Sequence, residues 1–257
     1  ARSTDAKSIA RALIEHLSWP GRVEEANGFL NFQLTPDNLR EALGRALQDG
    51  ERYGANEALS GTRVLVEFVS SDPVGPLPFS AARAAALGDA LCRVLEFAGA
   101  SVTREYFLND ADSSSKIRLL GESVAAFYLA EFGQEIEPPE GAFNNGFVRS
   151  VAKAIAQREG NAHVMLPESE RTTLFAHKAL EAAISAHKAS LRDLGVRFDV
   201  WTSEQTLRDE GRVDAALQKL RERGHLYQKS GAQWIASTQF GDDADHPLVR
   251  ANGEPTY

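Results

Sequence analysis

Residues 63–89 read RVLVEFVSSDPVGPLPFSAARAAALGD, and the way this stretch divides decides the fold. Val64, Leu65, Val66, Phe68 and Val69 make an apolar, β-prone run that predicts a buried strand. Asp72-Pro73 and Gly75-Pro76 break it, and an alanine-rich run then predicts a helix. In an open parallel α/β sheet a ligand sits outside the carboxyl end of such a strand, where loop amides and the helix dipole hold phosphate or carboxylate groups. A binding site is therefore expected at this loop. Strand, turn and helix recur in many α/β domains, so the pattern by itself defines no chemistry.

Working outward on the C-terminal side, Leu87, Leu91, Val94 and Leu95 turn the helix of residues 80–98 toward a sheet, and Gly99-Ala100 leads into a second strand, Val102 to Leu108. Two parallel strands joined by a helix form a right-handed βαβ unit, which places the chain in the α/β class. No later region repeats that alternation clearly. Asn109 to Ser115 is a polar turn able to cap a helix with an apolar stripe at Ile117, Leu120, Val124, Phe127 and Tyr128. Gln134 to Asn145, with Pro138-Pro139, reads as a loop. Helices are expected at 147–158 and 167–194, the second burying Leu174, Ala182, Ile184 and Leu191. A strand at 198–201, a short helix capped by Ser203, a helix at 213–223 and short strands at 226–228, 232–236 and 248–250 complete the chain.

On the N-terminal side, residues 5–18 form a helical face capped by Asp5. Asn27-Gly28 joins two short strands, and Thr35-Pro36-Asp37 opens a helix carrying Leu39, Leu43, Ala46 and Leu47. This reads as a small α/β cap.

Composition excludes several classes. At 43% apolar and 25% charged the chain is an ordinary globular one, and 28 basic against 36 acidic residues, a net −8, disfavour a broad nucleic-acid-binding face. No apolar run approaches a membrane span and no signal peptide is visible, so the cytoplasm is expected. Lone Cys92 excludes an internal disulfide and reads as a core residue. The six histidines, His16, His163, His177, His187, His225 and His246, lack ligand spacing and read as scattered surface or interface residues, so no metal site is expected.

The wording of the central stretch adds more. VEFVSSDPVGPL at 66–77 and LGDALCRVLEFAGASVTREYFLND at 87–110 resemble the opening of the catalytic domain of arginyl-tRNA synthetase, a class I synthetase. The likeness continues through Gly121-Glu122-Ser123-Val124, residues 194–201, Gly231-Ala232-Gln233-Trp234, Phe240-Gly241-Asp242-Asp243 and Asn252 to Tyr257, nearly the whole chain in one order. The resemblance implies a partial Rossmann-like class I catalytic domain at 59–257, with 109–257 largely insertion. It also implies a truncated α+β additional domain at 1–58, matched by Gly28, Phe29, Asn31 and Phe32. Because the first half of that domain is missing, tRNA contact through it is not expected.

By the same resemblance Glu67, Asp72 and Tyr257 correspond to residues around the amino acid, and arginine is the implied ligand. Glu67, as a buried carboxylate, would pair with the substrate's ammonium or guanidinium; Asp72 would accept hydrogen bonds in place of an asparagine. The competing readings stay open: Glu67 bonds backbone amides, Asp72 is an Asx-turn residue before Pro73, and Tyr257 is a frayed end.

The departure lies at Pro78, Phe79, Ser80 and Ala81, where the family carries His, an apolar residue, Gly and His. Losing one placed transition-state donor costs about 10²- to 10³-fold in rate. No catalytic residue is therefore assigned, and ATP binding is expected to be weak or absent. Asp112 likewise replaces a family glycine in the Asn109 turn. Three functions follow: a paralogue that does not aminoacylate and acts as a binding or scaffold protein; a fragment of an arginine–tRNA ligase needing further chain or a partner; or a repurposed arginine-using enzyme. An unfinished parallel sheet exposes edge and apolar surface, so self-association or a protein partner is expected.

Overall fold

The computed structural model describes residues 5–134, 136–253, 255 and 256. The chain divides into two compact units. The first comprises Ala1–Thr62 with Phe97–Ala100, the second Arg63–Glu96 with Ser101–Tyr257.

In the first unit, α1 (Ala6–His16) packs on a hairpin of β1 (Val23–Ala26) and β2 (Phe29–Phe32). Asp5 starts α1 by accepting the Lys7 and Ser8 amide hydrogens. Asn27 and Gly28 turn the hairpin with φ of 51° and 87°, both in the left-handed region that a two-residue loop matching strand twist requires. α2 (Pro36–Asp49) opens with a reciprocal cap between Thr35 and Asn38. Its leucine face stays open, with Leu39, Leu43 and Leu47 exposed.

The second unit is built on three parallel strands in the order β3-β4-β5: β3 (Arg63–Glu67), β4 (Ser101–Leu108) and β5 (Val200–Ser203). α3 (Phe79–Phe97) makes the crossover between the first two. Gly88 permits its close seat, since a Cβ there would lie 2.2 Å from the Phe68 ring. Phe68, Ala85, Cys92, Tyr106, Leu108, Leu191 and Val196 fill the core on one side of the sheet.

Three expectations change here. Leu87, Leu91 and Val94 do not turn α3 toward the sheet: they are exposed, and the helix buries its small residues Ala81, Ala85, Gly88 and Cys92 instead. β3 is not a buried strand: it lies at the sheet edge with alternating burial, and Leu65 is 61% exposed because nothing among the described residues covers that face. The sheet also gains a third parallel strand, β5, far along the sequence, where the short segment before it gave no βαβ signal. The strand begins at Val200 rather than Phe198, whose ring packs against Phe68 instead.

Three helices form the second core: α4 (Ser115–Ala130), α5 (Gly146–Glu159) and α6 (Glu168–Asp193), around Leu120, Val124, Tyr128, Val148, Ile155 and Phe175. Gly121 is the close approach of α4 to α6, because a Cβ would stand 2.2 Å from the Thr172 carbonyl oxygen. α7 (Glu204–Asp209), capped by Ser203, and α8 (Arg212–Glu222) lead to an antiparallel sheet of β6 (Leu226–Lys229), β7 (Ala232–Ile235) and β8 (His246–Val249). No helix among the described residues is long and apolar enough to cross a membrane.

Candidate functional site

Beyond Glu67 the chain leaves β3 through a constrained turn. Val69 and Ser70 have φ of 69° and 41°. A β-branched residue at positive φ is an outlier that the surroundings must hold in place, and such strain gathers at ligand-facing loops. The restraints are visible. The Phe107 amide donates to Ser70 Oγ at 3.1 Å, the Ser71 amide donates to the Tyr106 hydroxyl at 3.1 Å, and Pro73 is fully buried.

Beneath the loop lies a sealed polar pair. Tyr106 on β4 and His187 on α6 are both 0% exposed, with the hydroxyl 3.0 Å from Nδ1. Nε2 lies 2.7 Å from the Gly75 carbonyl oxygen, which can only accept, so Nε2 carries the proton and Nδ1 accepts from Tyr106. β4, α6 and both ends of the loop are thereby tied together. Burial lowers the His187 pKa, against the Gly75 bond that favours the cation, and raises that of Tyr106 to about 12.

The loop forms one wall of a cavity of about 650 Å³ at the carboxyl ends of the strands. Asp72, Asn109, Lys116, Arg118, Glu204, Arg208 and Arg250 line it together with Ser113, Ser114 and Ser115 before and at the start of α4. Asp72 is already engaged: Asn109 Nδ2 donates to Oδ1 at 3.0 Å and Lys116 pairs with Oδ2. Arg208 pairs with Glu204 at 2.6 Å, and Arg118 with Glu122. The lining thus presents both charges, and Asp72 and Glu204 are each paired with a cation of the same lining.

The sequence-derived residues do not converge. Asp72 lines the cavity. Glu67 does not: it is exposed on β3, on the uncovered side of the sheet, rather than buried. Tyr257 lies outside the described residues. Pro78 precedes α3, where Phe79 is 95% exposed and Ala81 packs into the interior at 6%. Ser80 is exposed, and no side chain from 78–81 offers an imidazole to the helix entrance.

His187 was expected at a surface or interface and is instead buried. The signal was its place between Ala183 and Leu191, four residues to either side, both buried. Lys116, Arg208 and Arg250 carried no motif and come together only through folding. The Asn109 turn does not cap α4, whose Ser114 makes no side-chain cap. Asp110 instead accepts from Ser203 Oγ and the Gln205 amide at the start of α7. Cys92 is buried in the core as expected. No cluster of three or more His, Cys, Asp or Glu able to hold a metal occurs among the described residues.

No protein-family model matches the chain. Curated relatives do: the arginine–tRNA ligase of Carboxydothermus hydrogenoformans is 40% identical over 255 residues, 98% of this chain and 45% of its own length. That of Anoxybacillus flavithermus is 41% identical over 256 residues, 98% of this chain and 46% of its own length. Among solved structures, a Campylobacter jejuni protein described as an arginyl-tRNA synthetase superposes with a TM-score of 0.76 at 28% identity, covering 87% of this chain and 48% of that one. Thermus thermophilus arginyl-tRNA synthetase gives 0.66 at 25% identity, covering 98% and 43%. The chain thus spans about half the length of the proteins it matches.

Proposed function

We propose, from the premise that this chain is a homologue of the arginyl-tRNA synthetases along the part it shares with them, that it binds a ligand at the carboxyl ends of β3 and β4 without forming an aminoacyl-adenylate by itself. On this reading β3, α3, β4 and β5 are the first part of a class I nucleotide-binding sheet, and the first unit corresponds to the additional domain. The observation that carries it is Pro78-Phe79-Ser80-Ala81 at the entrance to α3, where two histidines would meet the phosphates of ATP. Proline, phenylalanine and alanine donate nothing from their side chains, and with two donors absent, each worth about 10²- to 10³-fold, activation falls to background. Arginine is the ligand class. It carries both charges, and Asp72 together with the cationic lining of the cavity offers a partner to each.

A second reading, a ligase fragment completed by further chain or by a partner, is favoured by one observation: β3 is an edge strand with Leu65 uncovered. Arginine- and ATP-dependent pyrophosphate exchange by the 257-residue protein tests the first reading. Exchange at background with measurable calorimetric binding of arginine supports it, and exchange well above background refutes it.

A further inference from the structure

The loop that carries Asp72 is built from two γ-turns, and the first does not hold itself. The Ser70 amide donates to the Phe68 carbonyl at 3.0 Å with Val69 at a φ of 69°. That is the positive-φ form of the turn, rare and strained, and least suited to a β-branched residue. The Val74 amide donates to the Asp72 carbonyl at 2.9 Å about Pro73, whose ring suits the relaxed form of the same turn. Asp72 thus follows a strained turn and opens a relaxed one, with Ser71 as the link.

Two sealed side chains on other elements grip this loop from below. The Ser71 amide donates to the Tyr106 hydroxyl at 3.1 Å, the hydroxyl donates to His187 Nδ1 at 3.0 Å, and Nε2 donates to the Gly75 carbonyl at 2.7 Å. The bonds run in one direction from one side of Asp72 to the other. Removing the hydroxyl releases Ser71. Removing the imidazole releases Gly75, but the hydroxyl can then turn to the Ser71 carbonyl, 3.2 Å away, so the first loss is the larger. The Tyr106 ring stacks on Trp201 at 4.3 Å and meets Phe198 edge-on at 5.3 Å, so phenylalanine keeps the packing and deletes the hydroxyl alone. Neither Tyr106 nor His187 lines the cavity, and each acts through the backbone it holds.

We propose, resting on the assignment of arginine to that cavity, that Tyr106 and His187 are positioning residues: they hold residues 68–75 in the strained form and so present the Asp72 carboxylate to the ligand. A loop that keeps its binding form for only about a tenth of the time binds about tenfold more weakly. The Phe107 amide still holds Ser70 Oγ when either side chain is lost, which limits the release. The test pairs calorimetric titration of arginine with amide hydrogen exchange on the 257-residue protein. Tyr106→Phe is expected to weaken arginine binding about tenfold and His187→Leu about threefold. Both are expected to speed exchange at the Ser70 and Val74 amides, which neither side chain touches, while exchange within α4 and α5 stays as in wild type. His187→Gln, which supplies a donor and an acceptor, recovers the affinity lost in His187→Leu. Ile155→Val, in the separate helical core, lowers stability and leaves the dissociation constant alone, so weaker binding is not mere loss of stability. Tyr106→Phe protein that binds arginine as wild type does, or exchanges Ser70 and Val74 at the wild-type rate, overturns the proposal. Wild-type protein that binds no arginine refutes the ligand assigned to the cavity instead, and the two amides then decide by themselves whether the pair holds the loop.

Discussion

Replacing His187 with glutamine removes a titratable group from beneath the loop while keeping both kinds of hydrogen bond, since the amide donates to Gly75 and its oxygen accepts from Tyr106. In the folded protein the imidazole is sealed, and burial holds its pKa below the ordinary 6.5. The neighbouring titratable groups are Tyr106, neutral at any pH near 7, and Asp72 on the loop above. The sign is fixed by proton counting. As pH drops below 6.5 the unfolded chain takes up a proton that the folded chain refuses, so stability falls with acid until the folded-state pKa is reached. The slope approaches about 1.4 kcal/mol per pH unit, and between pH 7 and pH 5.5 this group accounts for up to about 1 kcal/mol. Urea unfolding at half-unit intervals of pH, for wild type and His187→Gln, isolates that contribution as the difference between the two curves. The variant is expected to be flatter in this interval. Parallel curves would refute the assignment of a neutral, sealed imidazole.

Other outcomes follow from particular contacts. Lys116→Met frees the Asp72 carboxylate from a pair whose lysine is 63% exposed; with such pairs worth at most about 1 kcal/mol, arginine binding measured by calorimetry should tighten by up to about fivefold. Gly121→Ala forces a methyl group to 2.2 Å from the Thr172 carbonyl and should destabilise the protein by about 2–4 kcal/mol, read by thermal melting. Glu159, held at about 2 chiefly by hydrogen bonds from Lys178 and His163, contributes stability that is present above pH 4.5 and lost as pH falls through the folded value, so Glu159→Gln should be less acid-sensitive between pH 4.5 and 2.

The order of elements was legible in the residues. Asp5, Thr35 and Ser203 do cap α1, α2 and α7, Asn27-Gly28 does turn a hairpin, and the break at Asp72-Pro73 does separate a strand from a helix. These are local matters, decided by side chains within a few positions of the backbone they satisfy. The likeness to arginyl-tRNA synthetases was also carried by local words, which is why the comparisons agree with it over 98% of the chain. What a linear reading lacks is the identity of the far neighbour. β5 joins β4 across more than ninety residues, Lys116 closes on Asp72, and His187 reaches under Gly75, none of it encoded by spacing. Burial failed for the same reason. Leu65 and Glu67 sit in a run whose composition says core, yet a strand is buried only where something lies beside and above it. The sequence by itself settled most of which segments are helix and strand and where the loop after the first parallel strand falls. Only the folded chain decided which charges share a cavity, which histidine is sealed and which strand remains an edge, because those depend on distances between residues that the covalent chain leaves free.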